Sequence, residues 1–528
     1  MKVLPRADEW VVERVRKVSK TTWIAFFTAV ITSIIINFPA YSLRLQTPDA
    51  VYGDPFTPWY WDFQLGRFVL ALIGYFKHFF NLTYYSCAIA FVFIGLTAVL
   101  LCHILQIKSS LMVFIISALM AVFPAYAWMT QLFYYIEAYV ASLFFAMFAI
   151  WLSNKRYGII TGAVAMCISL GLYQSSIAAA ITLALLLIIR QLLAENKNLK
   201  MIALSAMRML VVGVLGGIAY FVIYHAACAW LHIPTAVASY SGIEAILNPA
   251  NWGPIIKDIY TTAIGFYISP NAYNNGEWGL HILNIIILAV GLVGLLCKIR
   301  RAQWWRGALS VVIIVLLPFA MLFLLILSPT HITPWGFMVP LLLPMLFGVS
   351  AFIQELEITD KKQILIGMQY VLIIAMLLLC NSYWKYNTAN YLAMELTQNK
   401  AVSLANRLVS DMEEVDGYTP GMKVMFCGTE NPELYPRIHN QIYDYTSAHS
   451  ADSGMVWADL SCAQMEWTGI MHQFIGISYQ QTTVEDFKYI IPTEQYQNMP
   501  LYPEQGSIQI INDTMVIKLS SVYDSVTY

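Results

Sequence analysis

Long apolar stretches separated by short polar punctuation fill the first three quarters of the chain. They begin at about Thr22, Tyr84, Ser109, Leu132, Gly158, Ser176, Met201, Leu280, Gly307, Met338 and Ile364, and polar residues or Pro and Gly bound each one. A hydrocarbon core takes ~20 apolar residues as helix, because backbone groups in lipid must satisfy one another. The pattern therefore predicts a polytopic α-helical membrane protein of about eleven transmembrane helices. The first run, Trp23 to Ile36, has the basic flank of a signal peptide. It sits at the long limit of a cleavable core and is read as an uncleaved anchor.

The cations orient these spans, since short cytoplasmic loops collect Lys and Arg. Lys2, Arg6, Arg14, Arg16, Lys17 and Lys20 precede the first run. Alternate connections then carry Lys108, Lys155 with Arg156, Lys197 with Lys200, the group Lys298 to Arg306, and Lys361 with Lys362. The intervening connections hold almost none, the first loop with Arg44, Arg67 and Lys77 excepted. An odd number of spans follows, with a cytoplasmic N-terminus and an exported C-terminus.

At about Lys385 the composition turns polar. Residues 386–411 read as an amphipathic helix and Met422 to Cys427 as a buried strand. Ile508 to Ile511 and Met515 to Leu519, around Asn512 and Asp513, read as a hairpin. The expected organisation is a cytoplasmic segment 1–21, a transmembrane domain 22–384 with exported loops 41–83 and 232–279, and a small exported α/β domain 385–528.

Composition agrees: 59% of the 528 residues are hydrophobic and 12% charged. A net charge of -1 provides no basic field for nucleic acid. The eight cysteines form neither a Cys-x-x-Cys pair nor a cluster of zinc-ligand spacing, so no metal or other cofactor is expected. Cys427 and Cys462 lie in the tail, where export would permit a disulfide that spacing alone does not establish. Gly-rich phosphate loops and Gly-x-Ser-x-Gly elbows are absent from the sequence.

Candidate chemistry gathers in the first exported loop, where Arg44, Asp49, Asp54, Asp62, Arg67, Lys77 and His78 stand among Pro, Trp, Tyr and Phe. Trp59, Tyr60 and Trp61 suit the headgroup region, and Phe68 to Phe80 reads as a short stretch in the interface. The loop is either a solvated linker with an aromatic belt or a set of acids held at the membrane surface beside cations. Glu137 lies at the exported end of an apolar run, where an ionisable group marks either function or simple hydration. The connection from His232 to Gly279 exceeds an ordinary linker, and its polar and aromatic residues suit sugar contacts.

A membrane protein with an exported carboxylate cluster after its first span, a long exported loop and a soluble exported tail resembles the C-type glycosyltransferases. More narrowly, Pro48, Asp49, Ala50 leading through Trp61, Asp62, Phe63, Gln64 to Leu65, Gly66, Arg67, Phe68 resembles the first-loop signature of the bacterial glucosyltransferase II family. That family decorates O-antigen and related surface polymers. Its last position is more often Trp, and a second acid often neighbours the first where this chain has Ala50. Gly171, Leu172, Tyr173, Gln174, Ser175 is similar to the family's Tyr-Gln element, and Tyr502, Pro503, Gly506 to Leu519 resembles the ending of its Gram-positive members.

The resemblance implies an inverting hexosyltransferase of the bacterial plasma membrane. It would move a hexose, glucose by this likeness, from a polyprenyl-phosphate donor to a cell-surface polysaccharide or teichoic-type polymer outside the bilayer. Phosphate already leaves well, so a single base suffices where a glycosidase uses an acid and a base. Asp49 is the first candidate for that base, Asp62 the second and Asp54 the third. Arg67, with Arg44 in reserve, would hold the departing phosphate through paired charge-assisted bonds. Glu137, Tyr173 and Gln174 are the substrate-binding candidates. A flippase and a polyprenyl-phosphate glucosyltransferase are the expected partners in the same pathway. The rival reading is a transporter or flippase of lipid-linked sugar, although such proteins usually show internal repeats and polar groups at mid-membrane depth.

Overall fold

The computed structural model describes residues 15–521 apart from 43–58, 79, 81, 130–134, 195–197, 236–247, 270–279, 328–337, 359–362, 429–463 and 465–466. Its helices are α1 (Lys20–Ile36), two short helices α2 (Trp59–Gln64) and α3 (Phe68–Phe76), then α4 (Thr83–Ile104), α5 (Ser110–Ala121) and α6 (Pro124–Met129). They continue as α7 (Ile136–Leu152), α8 (Gly158–Leu172), α9 (Ile177–Leu192), α10 (Leu199–Trp230) and α11 (Trp252–Ile268). The bundle is completed by α12 (Leu280–Arg301), α13 (Trp304–Met321), α14 (Phe323–Leu327), α15 (Met338–Ile358) and α16 (Gln363–Glu413), and two short helices, Val484–Ile490 and Glu494–Gln497, follow in the C-terminal region.

Each apolar run read from the sequence coincides with one of these helices. Among the described residues, eight segments are long and apolar enough to cross a bilayer, Thr83–Ile104, Leu199–Trp230 and Gln363–Leu392 among them. The apolar helices α1, α7 and α8, of 17, 17 and 15 residues, are shorter. Side-chain caps start several helices: Ser19 accepts from the Thr22 amide, Ser109 from that of Met112 and Asn198 from that of Met201. Each cap satisfies an amide that the helix itself leaves open. Apolar residues such as Leu210, Val214, Ile218 and Phe221 on α10 are exposed, as lipid contact requires.

The bundle packs as a chain of neighbours. α1 lies on α4 and α5, α4 on α7, α7 on α8, and α8 on α10. A second group joins α12 to α15 and α16, with α9 bridging to α13 and α15. Small residues set the closest crossing. Gly291 and Gly294 of α12 face Gly348 and the Phe352 backbone of α15, so a Cβ at either glycine would enter the opposite backbone. Glycines at such crossings let backbones approach where no solvent-driven force joins helices.

Within the long connection 232–279 the structure adds a helix, α11, that the apolar pattern did not reveal. Ile255, Ile259, Ala263 and Phe266 form its buried stripe. Lys257 and Asp258 interrupt the run and hide that stripe from a search for continuous apolar sequence. Tyr260 donates to the Val315 carbonyl at 2.8 Å and Tyr267 to that of Leu341 at 2.5 Å, fixing α11 to the bundle.

The polar C-terminal region is entered by one continuous helix. α16 crosses the composition change at Lys385 without a break. Tyr391 still bonds Asn37 of the bundle, whereas Leu404, Leu408 and Met412 pack against the small sheet. That sheet has the order β2-β1-β4-β3, with β1 (Lys423–Cys427) parallel to β2 (Gln480–Gln481) and to β4 (Thr514–Lys518). β3 (Ile508–Ile511) pairs antiparallel with β4, and Asn512 and Asp513 between them both have positive φ, as a tight hairpin turn demands. The expected strand and hairpin are therefore present. Cys427 is buried, and Cys462 lies outside the described residues.

The glycine crossing yields a stability prediction. Gly294→Leu should lower stability by roughly 1–3 kcal/mol, the usual cost of overpacking, whereas the same change at Gly213, where a Cβ meets nothing, should leave it near the parent value. Thermal unfolding in detergent measures both.

Candidate functional site

The short helix α2 determines the geometry of the described part of the first loop. It ends at Gly66, whose φ is +76°. The Gly66 amide donates to the Phe63 carbonyl at 2.9 Å and the Arg67 amide to that of Asp62 at 2.7 Å. This pair of bonds is a Schellman termination, which needs glycine at the left-handed position. It places Asp62 in the last turn of α2 and Arg67 immediately beyond it.

The last carbonyls of a helix lack internal partners. Here other elements supply them. Gln174 Nε2 donates to the Leu65 carbonyl at 2.6 Å, Tyr224 Oη to that of Gln64 at 2.8 Å, and Cys228 Sγ to that of Phe63 at 3.6 Å. Gln174 Nε2 also donates to Tyr220 Oη at 2.9 Å, and Phe68 stacks on the Tyr220 ring with centroids 5.8 Å apart. A Cβ at Gly66 would collide with the Tyr220 hydroxyl, and one at Gly171 with Phe68 and Val69. The loop is thus keyed into the ends of α8 and α10.

Charged side chains are enclosed by this arrangement. Asp62 is only 2% exposed and accepts a hydrogen bond from the Tyr135 hydroxyl at the start of α7. Arg67 lies over the Tyr173 ring, 5.1 Å from its centroid, and Tyr173 packs on Tyr139 at 4.6 Å. Lys77, just after α3, pairs with Glu137 at 2.8 Å, donates to Ser86 at 3.1 Å and approaches the Tyr135 ring. Both members of that ion pair are 3% exposed, so two opposite charges have left water together. Tyr135 connects the two halves: its hydroxyl meets Asp62 and its ring meets Lys77.

Among the sequence candidates, Asp62, Arg67, Glu137, Tyr173 and Gln174 are brought to one end of the bundle, opposite the Lys- and Arg-rich connections. Gln174 and Tyr173 act on the loop directly. Glu137 is buried and ion-paired, with no hydrogen bond to Oε2 among the described residues. Asp49, Asp54 and Arg44 lie outside the described residues, as does most of the polar stretch after Ser269. Sequence reasoning missed Lys77 as the partner of Glu137, it missed Tyr220 and Tyr224 altogether, and it read Cys228 only as a small buried hydrophobe, which its burial bears out. Their i, i+4, i+8 spacing on α10 was the available signal, since it sets all three on one helix face.

Two carboxylates and two cations, held by the short helices α2 and α3 and by the start of α7 in a bundle whose other helices are of lipid length, define a membrane protein with a polar site at one end of its bundle. The family that matches is described as Glucosyl transferase GtrII, over residues 59–380, and the chain belongs to it. The matched region is more than half of the chain and starts at the first residue of α2, so it contains every residue of the site just described. A search of curated proteins gives no match.

The enclosed ion pair generates a second prediction. Lys77→Met alone leaves the Glu137 carboxylate buried without its cation and should cost about 3–5 kcal/mol. Lys77→Met combined with Glu137→Leu should recover most of that loss in thermal unfolding. A double variant no more stable than the single one would remove charge pairing as the reason these residues are buried.

Proposed function

We propose that this GtrII family member transfers a hexose, glucose by family, from a polyprenyl-phosphate donor to a surface polysaccharide or teichoic-type polymer at the exported face. The observation that carries the reading is the enclosure of Asp62 and Arg67: an acid and a guanidinium five residues apart, fixed by one Schellman turn against the ends of α7, α8 and α10. Such pre-organisation gives fixed charges greater effect than the same groups in water.

In the proposed step an acceptor hydroxyl oxygen attacks the anomeric carbon as the bond from that carbon to the phosphate oxygen breaks. The hydroxyl proton passes to a first-loop carboxylate, and the lipid phosphate leaves with the bonding electrons. One displacement inverts the anomeric configuration. Asp49 remains the first candidate for the base. Asp62, already bonded to Tyr135, is the second candidate, and Asp54 the third. Arg67 is the phosphate partner, because its planar fork matches two phosphate oxygens while its face is held on Tyr173. Arg44 is its reserve, and Glu137, Tyr173 and Gln174 complete the substrate side. The bilayer holds the donor's lipid tail, which keeps its phosphate at the level of the site. A flippase and a polyprenyl-phosphate glucosyltransferase would supply that donor.

Purified protein in vesicles, given radiolabelled polyprenyl-phosphate glucose and cell-wall acceptors, tests this reading. Asp49→Asn should reduce transfer by the ~10²- to 10⁴-fold typical of a general base. Arg67→Lys, which keeps charge but loses the fork, should also slow transfer. Near-normal transfer by Asp49→Asn rejects it as the base, and translocation of the carrier without a new glycosidic bond rejects the enzyme reading.

A further inference from the structure

A second polar cavity lies at the opposite end of the bundle. It has a volume of about 450 Å³ and is lined from α4, α7, α9, α10 and the turns that follow α4 and α7. Three of its lining residues are cations, Lys155, Arg190 and Arg208, joined by His103, and no Asp or Glu lines it among the described residues. Two cations outside the cavity are paired with carboxylates. Arg301 is matched by Glu355 through bonds of 2.9 and 2.5 Å, and Lys108 by Glu357 at 3.8 Å.

The three lining cations come from separate elements and have no carboxylate partner among the described residues. Arg190 Nη1 donates to the Ile104 carbonyl at the end of α4, which fixes its position and leaves its remaining N–H groups without a described protein partner. Lys155 stands over the Trp151 ring, 4.5 Å from its centroid. Arg208, half-buried on α10, makes no hydrogen bond or ion pair among the described residues. A half-buried cation on an apolar helix is favoured where an anion or water meets it. Ile104, Ile150, Leu187 and Leu204 add apolar lining to the cavity.

From this combination of cations and apolar lining we infer that the cavity binds the phosphate of an anionic lipid headgroup, with the acyl chains against its apolar residues. Connections rich in Lys and Arg assign this end to the cytoplasmic leaflet, where basic pockets between helices meet anionic lipid. The site stands apart from the proposed transfer step and uses none of its residues. A free phosphate ion offers the same charge but no use for the apolar lining, so the lipid is the favoured source.

Native mass spectrometry of the purified protein with dioleoylphosphatidylglycerol or dioleoylphosphatidylcholine decides the point. Phosphatidylglycerol should remain bound where phosphatidylcholine does not, and a millimolar excess of inorganic phosphate should leave it in place. Arg208→Gln and Lys155→Gln should each weaken retention about fivefold, as expected for the loss of one cation from a phosphate near a membrane surface. Lys155 is exposed on a turn, so its variant tests the site even where Arg208→Gln fails to fold. Equal retention of both lipids, retention unchanged in the folded variants, or displacement by inorganic phosphate would each overturn the lipid assignment.

Discussion

The carbonyl groups at the end of α2 impose the constraint from which the site follows. A six-residue helix cannot satisfy its own last turn, and its C-terminal carbonyls are buried against other helices. Gln174, Tyr224 and Cys228 complete those bonds, while Gly66 allows the chain to reverse under the Tyr220 hydroxyl. Asp62 and Arg67 therefore have positions defined by backbone geometry, and their side chains need little additional ordering. The loop connects distant parts of the sequence, so the site depends on correct packing of α7, α8 and α10 together.

Enclosure of charge has a second consequence. Asp62, Lys77 and Glu137 are nearly water-free, and each meets an oppositely charged or hydrogen-bonding partner. A buried ion pair is weak evidence for stability, because desolvation offsets much of the attraction. Its position beside Asp62, through the shared Tyr135, fits a role in fixing local geometry. In a glucosyl transferase with a lipid-held donor, the proposed function gives that rigidity a use: the bilayer fixes the depth of the phosphate, and the protein fixes the depth of the groups that meet it.

Much of the membrane architecture was legible because the requirement for backbone satisfaction in lipid leaves a long apolar signature. The strand at Lys423–Cys427 and the hairpin around Asn512 and Asp513 were legible for a similar reason, a local pattern joined to turn chemistry. α11 was not, since Lys257 and Asp258 break its apolar run while its buried stripe survives only at helical spacing. The continuity of α16 was hidden as well: a change from apolar to amphipathic composition at Lys385 marks a change of surroundings without marking a helix end. Asp62, Arg67, Glu137, Tyr173 and Gln174 were singled out as candidates by chemistry and resemblance, but their mutual placement was not legible. Lys77 shows why, because 60 residues separate it from Glu137 and no local pattern encodes a pairing across that distance.

The most direct test of the site is a structure of the protein bound to a non-transferable phosphonate analogue of polyprenyl-phosphate glucose in a lipid nanodisc. The phosphonate oxygens should lie within hydrogen-bonding distance, ~3 Å, of the Arg67 guanidinium, with the sugar facing the first-loop carboxylates. A well-occupied analogue bound away from α2, with Arg67 and Asp62 untouched, would contradict the assignment of this loop as the place where sugar is transferred.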